Sequence, residues 1–395
     1  MTYAISERML SMQPSAIREI LKMTADPSLI SFAAGNPAQE AFPVDEVAQI
    51  TRDIMNESPI AALQYSLSEG YPLLREELKR FLQDRYSIGS ENDDLIVVSG
   101  AQQVMDFACK VLCNEGDTII TEAPTFVGAL NTFRSYQVNI VGVDMDEDGI
   151  NIEKLEHALR TQKNVRMIYL IPTFQNPTGR TMSLAKRQAC YELAKKYNVP
   201  ILEDNPYGET RFSGEALPDI KSLDDQGLVI YAGTFSKILS PGLRVGFVMA
   251  PHEIISKMVV AKQCNDVHTS ILSQMICYRF MTEYDFYAHL DKLKVVYGKK
   301  SGIMLEQLDR LLAGKLLYTR PEGGLFVWGE LPEGVDMLKF VSTLIEHKLA
   351  VVPGNAFMIN SADKTQAFRM NFSTPSDEQL VRGVEIMAEV VAKVF

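Results

Sequence analysis

The sequence predicts an α/β fold: a mainly parallel seven-stranded sheet flanked by helices on both faces, with a smaller α+β lobe. Three observations carry this. From about residue 95, short apolar runs alternate with amphipathic stretches of helical period. The strand-like runs are apolar along their length, as buried strands of a parallel sheet are. After about residue 250 the texture changes to long helical patterns, and short strand-like runs return only near the end.

In chain order, Leu95–Val98 reads as a buried strand and Gln102–Leu112 as a helix. Thr118–Thr121 is strand-like and Thr125–Tyr136 helical. Val138–Val143, Met167–Ile171 and Pro200–Leu202 continue the strands, with the helix Leu184–Tyr197 between the last two. Leu228–Tyr231 and Val245–Met249 complete the seven. In the smaller lobe the expected strands are Leu325–Trp328, Ala350–Val352 and Phe368–Phe372. The expected division is a large domain over 45–290 and a small domain built from 1–44 and 291–395, with the N-terminal segment packed near the latter. No linker-like, repeated or low-complexity tract interrupts this pattern.

Composition narrows the function classes. Hydrophobic residues make up 46% and charged residues 23% of the 395, the profile of a globular chain and not of a disordered one. A chain of this length buries about three-quarters of its unfolded surface and needs no covalent staples. Thirty-nine Lys and Arg against fifty Asp and Glu give a net charge of −11, which disfavours nucleic acid or an anionic membrane as the main partner. A small anion in a local cationic pocket stays compatible with it. Five cysteines are too few for a disulfide framework. Cys109 and Cys113 share a helical face with no histidine nearby, so core packing is expected there and no metal site. Met1–Ser15 shows no basic stretch followed by an apolar one, and no apolar run approaches the ~20 residues that cross a bilayer. A cytoplasmic setting is the expectation.

Four segments at predicted strand ends carry chemistry. Thr234-Phe235-Ser236-Lys237 follows the strand Leu228–Tyr231, with Arg244 seven residues beyond Lys237. A lysine held at a sheet edge is easily desolvated, which lowers its pKa and makes it a nucleophile toward aldehydes. The hydroxyls of Thr234 and Ser236 with the Arg244 guanidinium can hold a phosphate beside it. The alternative is a solvated loop lysine with a structural arginine. Ser99-Gly100-Ala101-Gln102-Gln103 lies between a strand and a helix, where backbone N–H groups of Ala101 and Gln102 would face an anion. An ordinary turn looks the same. Asn176-Pro177-Thr178-Gly179 follows the strand Met167–Ile171, and its asparagine amide can donate to a phenolate oxygen; a simple Asn-Pro turn is the other reading. Glu203-Asp204-Asn205-Pro206-Tyr207 follows the strand Pro200–Leu202. A dry aspartate there is costly unless it faces a cation such as a protonated pyridine; otherwise it is a cap or a surface carboxylate. Each segment alone is weak. Together they offer an anion cradle, a phenolate partner, a pyridinium partner and an amine nucleophile, the set that pyridoxal 5′-phosphate needs.

On these segments the sequence resembles the class I/II aminotransferases of pyridoxal-phosphate fold type I, in the branch of the 2-aminoadipate and kynurenine aminotransferases. The resemblance runs from Ser15-Ala16-Ile17-Arg18 through Ser31-Phe32-Ala33-Ala34-Gly35 to Phe368-Arg369. It implies that Lys237 carries the cofactor's aldehyde covalently, that Asp204 keeps the pyridine nitrogen protonated, and that Asn176 and Tyr207 bind the phenolate oxygen. It further implies that Gly100, Ala101, Gln102, Thr234, Ser236 and Arg244 surround the phosphate and that Phe126 stacks on the ring, where the family often has tyrosine. Tyr65, in Gln64-Tyr65-Ser66, matches a residue that reaches the neighbouring subunit's site, which implies a homodimer. Arg369 matches the arginine that grips the substrate's α-carboxylate, with backbone at Gly35 assisting. Alternation agrees: Phe368, Met370 and Phe372 share one strand face and Arg369 lies on the other. Arg18 is a candidate for an acidic substrate side chain, against the plainer reading of a helix-surface arginine. Ala34-Gly35-Asn36-Pro37 stands where the family usually has Gly-Gly-Leu-Pro.

The expected activity is transfer of an amino group from an α-amino acid, aromatic or acidic, to a 2-oxo acid by ping-pong kinetics. Two alternatives are a lyase or decarboxylase on the same cofactor, and a ligand-sensing regulator. The last suits the chain poorly: its first 44 residues hold three basic side chains (Arg8, Arg18, Lys22) and four acidic ones (Glu7, Glu19, Asp26, Glu40).

Overall fold

Buried strands need both faces covered, and the chain meets that demand with one large sheet and two small ones. The computed structural model describes residues 3–10 and 28–394. Its strands are β1 (Ile30–Ser31), β2 (Asp93–Val98), β3 (Thr118–Ala123), β4 (Asn139–Asp146), β5 (Gly149–Ile150), β6 (Val165–Leu170) and β7 (Ile201–Asp204). They continue with β8 (Val229–Thr234), β9 (Gly246–Pro251), β10 (Leu317–Tyr318), β11 (Phe326–Glu330), β12 (Leu349–Ala350), β13 (Val352–Pro353) and β14 (Ala367–Asn371).

The large sheet runs β2-β9-β8-β7-β6-β3-β4-β5. The seven expected strands are all in it, and β5, two residues long, adds an antiparallel edge to β4. β4, β3, β6, β7 and β8 are parallel, while β9 lies antiparallel between β8 and β2. The carboxyl ends of β2, β3, β6, β7 and β8 therefore emerge at one edge, together with the start of β9. In an α/β sheet that edge is where ligands bind.

Alternation sorts the side chains between the two faces. Ile96, Val98, Ile119, Met167, Leu202, Ile230 and Val248 pack on the helices Gln102–Leu112 and His252–Gln263. Ile120, Ile168, Leu170, Ile201 and Val229 face the other way, onto Ile152–Thr161 and Leu184–Tyr197. Both of the latter helices start on a side-chain cap: Asn151 accepts the Lys154 N–H and Ser183 that of Lys186.

The smaller lobe holds the sheet β10-β11-β14-β13, and β1 pairs in parallel with β12. The segment before residue 44 thus joins the C-terminal part of the chain. The expected strand Ala350–Val352 divides at Val351, because β12 pairs with β1 and β13 with β14. The expected helix Thr125–Tyr136 begins only at Val127. Thr125 donates its N–H to the Phe357 carbonyl at 3.0 Å, and Phe126 is extended, so neither can enter the helix. Among the described residues no helix is long and apolar enough to cross a membrane.

Candidate active site

Five strand ends converge on a cavity of about 280 Å³. Twelve of the residues singled out in the sequence line it: Gly35, Ala101, Gln102, Phe126, Asn176, Asp204, Tyr207, Thr234, Ser236, Lys237, Arg244 and Arg369. Three do not. Gly100 lies just behind, Tyr65 lies on the surface, and Arg18 falls outside the described residues.

Lys237 follows β8 by three residues, and its Nζ donates to the Gly35 carbonyl at 2.7 Å. Burial, then the positive charges of Arg369 and Arg244, push its ammonium down to about 8. An amine with that pKa is roughly one-tenth free at pH 7, far more than an ordinary lysine, and the free form is the nucleophile.

Asp204 is the last residue of β7. Its Oδ2 accepts the phenol of Tyr169 at 2.8 Å, while Oδ1, equally buried, has no partner among the described residues. Burial raises the carboxyl to about 7 and the Tyr169 hydrogen bond works against it. A buried oxygen without a donor calls for one, and the cavity is where that donor would come from.

Around the β8–β9 junction the backbone is drawn tight. Arg244 adopts a left-handed φ of 55°, and its Nη2 donates to the Ser99 carbonyl at 3.1 Å. Gly100, at φ 82°, lies so close that a Cβ would meet Arg244 Nη2 at 2.2 Å. The first turn of Gln102–Leu112 opens here, and N–H groups of a helix's first turn have no acceptor within the helix. The Gln102 side chain is committed elsewhere, donating to the Gly128 carbonyl (3.0 Å) and Thr132 Oγ1 (2.6 Å), so its contribution to an anion is its backbone. Thr234 and Ser236 hydroxyls lie 2.9 Å apart, and the Ser236 N–H donates to Thr234 Oγ1 at 3.1 Å.

Arg369, on β14, is buried with its guanidinium 4.1 Å from the ring centre of Phe326 and 5.0 Å from that of Phe357. One Nη donates to Asn176 Oδ1 and the other to the Ala33 carbonyl, each at 2.9 Å. Nε has no acceptor among the described residues. Burial lowers this guanidinium to about 10. Tyr207 is packed edge-on against Phe326, and burial raises its phenol well above the ordinary value, with Asp204 adding to the rise while Arg369 and Asn176 oppose it.

Tyr65 follows the helix Pro59–Leu63 and is 79% exposed, its ring edge-on to His268 at 5.9 Å. Within its own chain it does not reach the cavity.

Besides the apolar lining residues Met105 and Ile171, four residues around the site escaped the sequence reading. Tyr169 and Glu122 sit in buried strands where they pass for core. Phe326 lines the cavity behind Gly323-Gly324, a pair that marks a turn and no more. Lys262 is fully buried behind Ser99, donating to Gln103 Oε1 (3.0 Å), Asp266 and Thr269 Oγ1 (2.9 Å). Its spacing of four from Asp266 was the one signal available for it.

The model of the aminotransferase class I and II family matches residues 27–387. The chain is a class I/II aminotransferase. An aromatic-amino-acid aminotransferase of Thermococcus litoralis is 39% identical over 390 residues, spanning 98% of this chain and 93% of that one. A 2-aminoadipate transaminase of Thermus thermophilus is 37% identical over 375 residues, spanning 94% and 92%. The crystal structure of a Pyrococcus horikoshii kynurenine aminotransferase, in complex with PMP, KYN as substrates and KYA as products, superposes with a TM-score of 0.95 at 37% identity, covering 98% of this chain and 97% of that one. The aminotransferase fold is type I, and its cofactor is pyridoxal 5′-phosphate. The residues present fit that group. An unpartnered buried carboxylate oxygen suits a ring N–H, a helix start beside an arginine suits a phosphate, and a desolvated amine suits an aldehyde. Among the described residues no group of three His, Cys, Asp or Glu is placed to hold a metal ion.

Proposed function

We propose that this aminotransferase takes its amino group from an α-amino acid with an aromatic or acidic side chain and passes it to a 2-oxo acid in two half-reactions. The observation that carries the residue assignment is the pairing, in one cavity, of the low-pKa amine of Lys237 with the unpartnered Oδ1 of Asp204. Bound pyridoxal phosphate supplies an aldehyde that takes up the substrate's amino group and a ring that accepts the electron pair left at Cα.

The chain's own residues do the rest. Lys237 would hold the aldehyde carbon of the bound group through Nζ and, as the free amine, would take the proton from substrate Cα and give it back. Asp204 retains a proton on the ring nitrogen through Oδ1, a charge-assisted bond that keeps the ring electron-poor. Asn176 and Tyr207 bind the ring's phenolate oxygen, and Phe126 packs on the ring face. Gly100, Ala101, Gln102, Thr234, Ser236 and Arg244 enclose the phosphate. Arg369, with its spare Nε–H beside the bonded Nη groups, grips the α-carboxylate and so aims Cα–H at Nζ. Backbone at Gly35 lies on the same side.

Side-chain specificity has two supports. Apart from Lys237, Arg244 and Arg369 the described residues lining the cavity carry no cation, while Phe126, Phe326 and Met105 provide apolar surface. That favours aromatic donors. The named 2-aminoadipate relative supports the acidic ones, with Arg18 as the candidate partner. The same reading makes 45–290 the large domain and 1–44 with 291–395 the small one, the site at their junction, and the molecule a cytoplasmic homodimer whose Tyr65 completes the neighbour's site.

A half-reaction screen tests this. Each of the twenty amino acids is mixed with holoenzyme in the absence of oxo acid, and loss of the visible cofactor band is followed. Stoichiometric oxo acid with aromatic and acidic donors is expected. Preference for small aliphatic donors alone would overturn the specificity, and continuous turnover of one amino acid would overturn transamination.

A further inference from the structure

Asp204 is a carboxylate in a dry place, and what keeps it charged is not obvious from the cavity. The groups facing it are few. From β6 comes Tyr169, fully buried, its ring held edge-on by Phe133 with centres 5.4 Å apart, its phenol donating to Asp204 Oδ2 at 2.8 Å. From β3 comes Glu122, whose Oε2 accepts the Ile171 N–H at 3.0 Å while Oε1 has no partner among the described residues; burial pushes this carboxyl up to about 8. From the turn after β7 comes the Tyr207 phenol. No ion pair to Asp204 is present among the described residues, and Tyr169 is the single hydrogen-bond donor on its carboxylate there. The phenol thus occupies one oxygen of a carboxylate that lines the cavity and leaves the other without a donor among the described residues.

We propose that Tyr169 is a positioning residue for this aminotransferase: its phenol fixes Oδ2 of Asp204, keeping that group an anion with Oδ1 turned into the cavity, so that the proton stays on the cofactor's ring nitrogen. This rests on the assignment of Asp204 to the ring nitrogen. The proton in question lies on one axis between that nitrogen and Oδ1. A donor on Oδ2 lowers the proton affinity of the carboxylate and leaves the proton on nitrogen; removing the donor raises that affinity and draws the proton to oxygen. A neutral acid facing a neutral ring gives a weaker electron sink. Burial already drives Asp204 toward the neutral form, so one hydrogen bond is enough to matter.

The test is the ring-nitrogen ¹⁵N resonance of holoenzyme reconstituted with ¹⁵N-labelled pyridoxal phosphate, in wild type and Tyr169→Phe. The expected result is a protonated-type resonance in wild type that moves toward the free-base position in the variant. With it, kcat falls about tenfold to a hundredfold, the range of a hydrogen bond to a charged group, at unchanged KM for the amino acid. Identical resonances in the two proteins overturn the role of Tyr169 and leave the Asp204 assignment standing. A free-base resonance already in wild type overturns that assignment, and this inference with it. A second variant covers failure of the phenylalanine protein to fold: 3-fluorotyrosine at position 169 keeps the shape and is the stronger donor. It holds the protonated-type resonance to higher pH than wild type does, and an unchanged midpoint in the pH titration of that resonance overturns the inference.

Discussion

At the scale of single residues the site is built from groups that burial has pushed away from their ordinary ionisation. For Lys237 the consequence is kinetic. An ammonium at about 8 releases its proton two or more units below an exposed lysine, so the rate at which cofactor-free protein captures pyridoxal phosphate rises with pH through about 8 and then levels. Stopped-flow absorbance across that range checks this; a rate still climbing toward 10 would mean an ordinary lysine. Lys237→Ala abolishes turnover and the visible band of the lysine-bound cofactor, while full activity would remove Lys237 from the mechanism. Arg369→Lys keeps the charge but loses the planar fork that spans Asn176 and Ala33 and, in the proposed function, would hold the substrate carboxylate. It raises KM for amino acids more than about tenfold with cofactor still bound, as steady-state kinetics with a dialysed control would show. Glu122 titrates in the opposite direction from a paired carboxylate: its folded value of about 8 lies above the ordinary 4.5. The folded state therefore holds this proton more tightly than the unfolded one, and stability is lost as pH rises through that window. In Glu122→Gln this loss is absent, so its urea midpoint gains on wild type between about pH 5 and about pH 9. A constant gap would show that Glu122 ionises normally.

At the scale of elements, function depends on how closely the chain segments at the sheet edge approach one another. Gly246 opens β9, and a Cβ there would lie 2.8 Å from the Ala101 nitrogen, 2.9 Å from the Gly100 carbonyl carbon and 3.0 Å from the Gly233 oxygen. All three are backbone, so the strain in Gly246→Ala is relieved only by moving the phosphate-facing turn. Affinity for pyridoxal phosphate falls by about tenfold or more, while affinity for pyridoxal, which lacks the phosphate, changes little; equal losses would refute the turn's role. The same geometry explains what was legible beforehand. Strand ends with Asn176, Asp204 and Lys237 are short motifs whose residue types have few uses at a parallel sheet's edge, and the helices Gln102–Leu112 and Leu184–Tyr197 have the bounds their periodicity indicates. Tyr169 and Lys262 were not legible. A tyrosine in an apolar strand and a lysine in a helix look alike whether they point at solvent, at core or at a carboxylate near the cavity, and only the tertiary contact distinguishes them. The division at Val351 was hidden for a related reason: an apolar run does not disclose that its two ends join different sheets.

At the scale of the whole molecule, the segment around Tyr65 has no satisfactory place in a lone chain. Ile60 is 73% and Leu63 69% exposed, and with Tyr65 they form one apolar stretch on the surface. The proposed dimer would cover such a patch, and with two-fold symmetry the same patch on each subunit would meet the other. If Tyr65 of one subunit then completes the site of its partner, each site needs Lys237 from one chain and Tyr65 from the other. Lys237→Ala and Tyr65→Ala are each expected to be nearly inactive as homodimers. In a hybrid dimer, the subunit carrying Tyr65→Ala keeps its own Lys237 and receives an intact Tyr65 from its partner, so one of the two sites is whole. After unfolding and refolding an equimolar mixture, random pairing makes half the dimers hybrid and restores about a quarter of wild-type activity. Differently tagged subunits allow the hybrid to be purified, where half the sites should bind cofactor and turn over normally. A mixture that stays as inactive as its parents, although hybrids are recovered by the tags, would place Tyr65 outside the partner's site. An active Tyr65→Ala homodimer would show that Tyr65 is not needed at all.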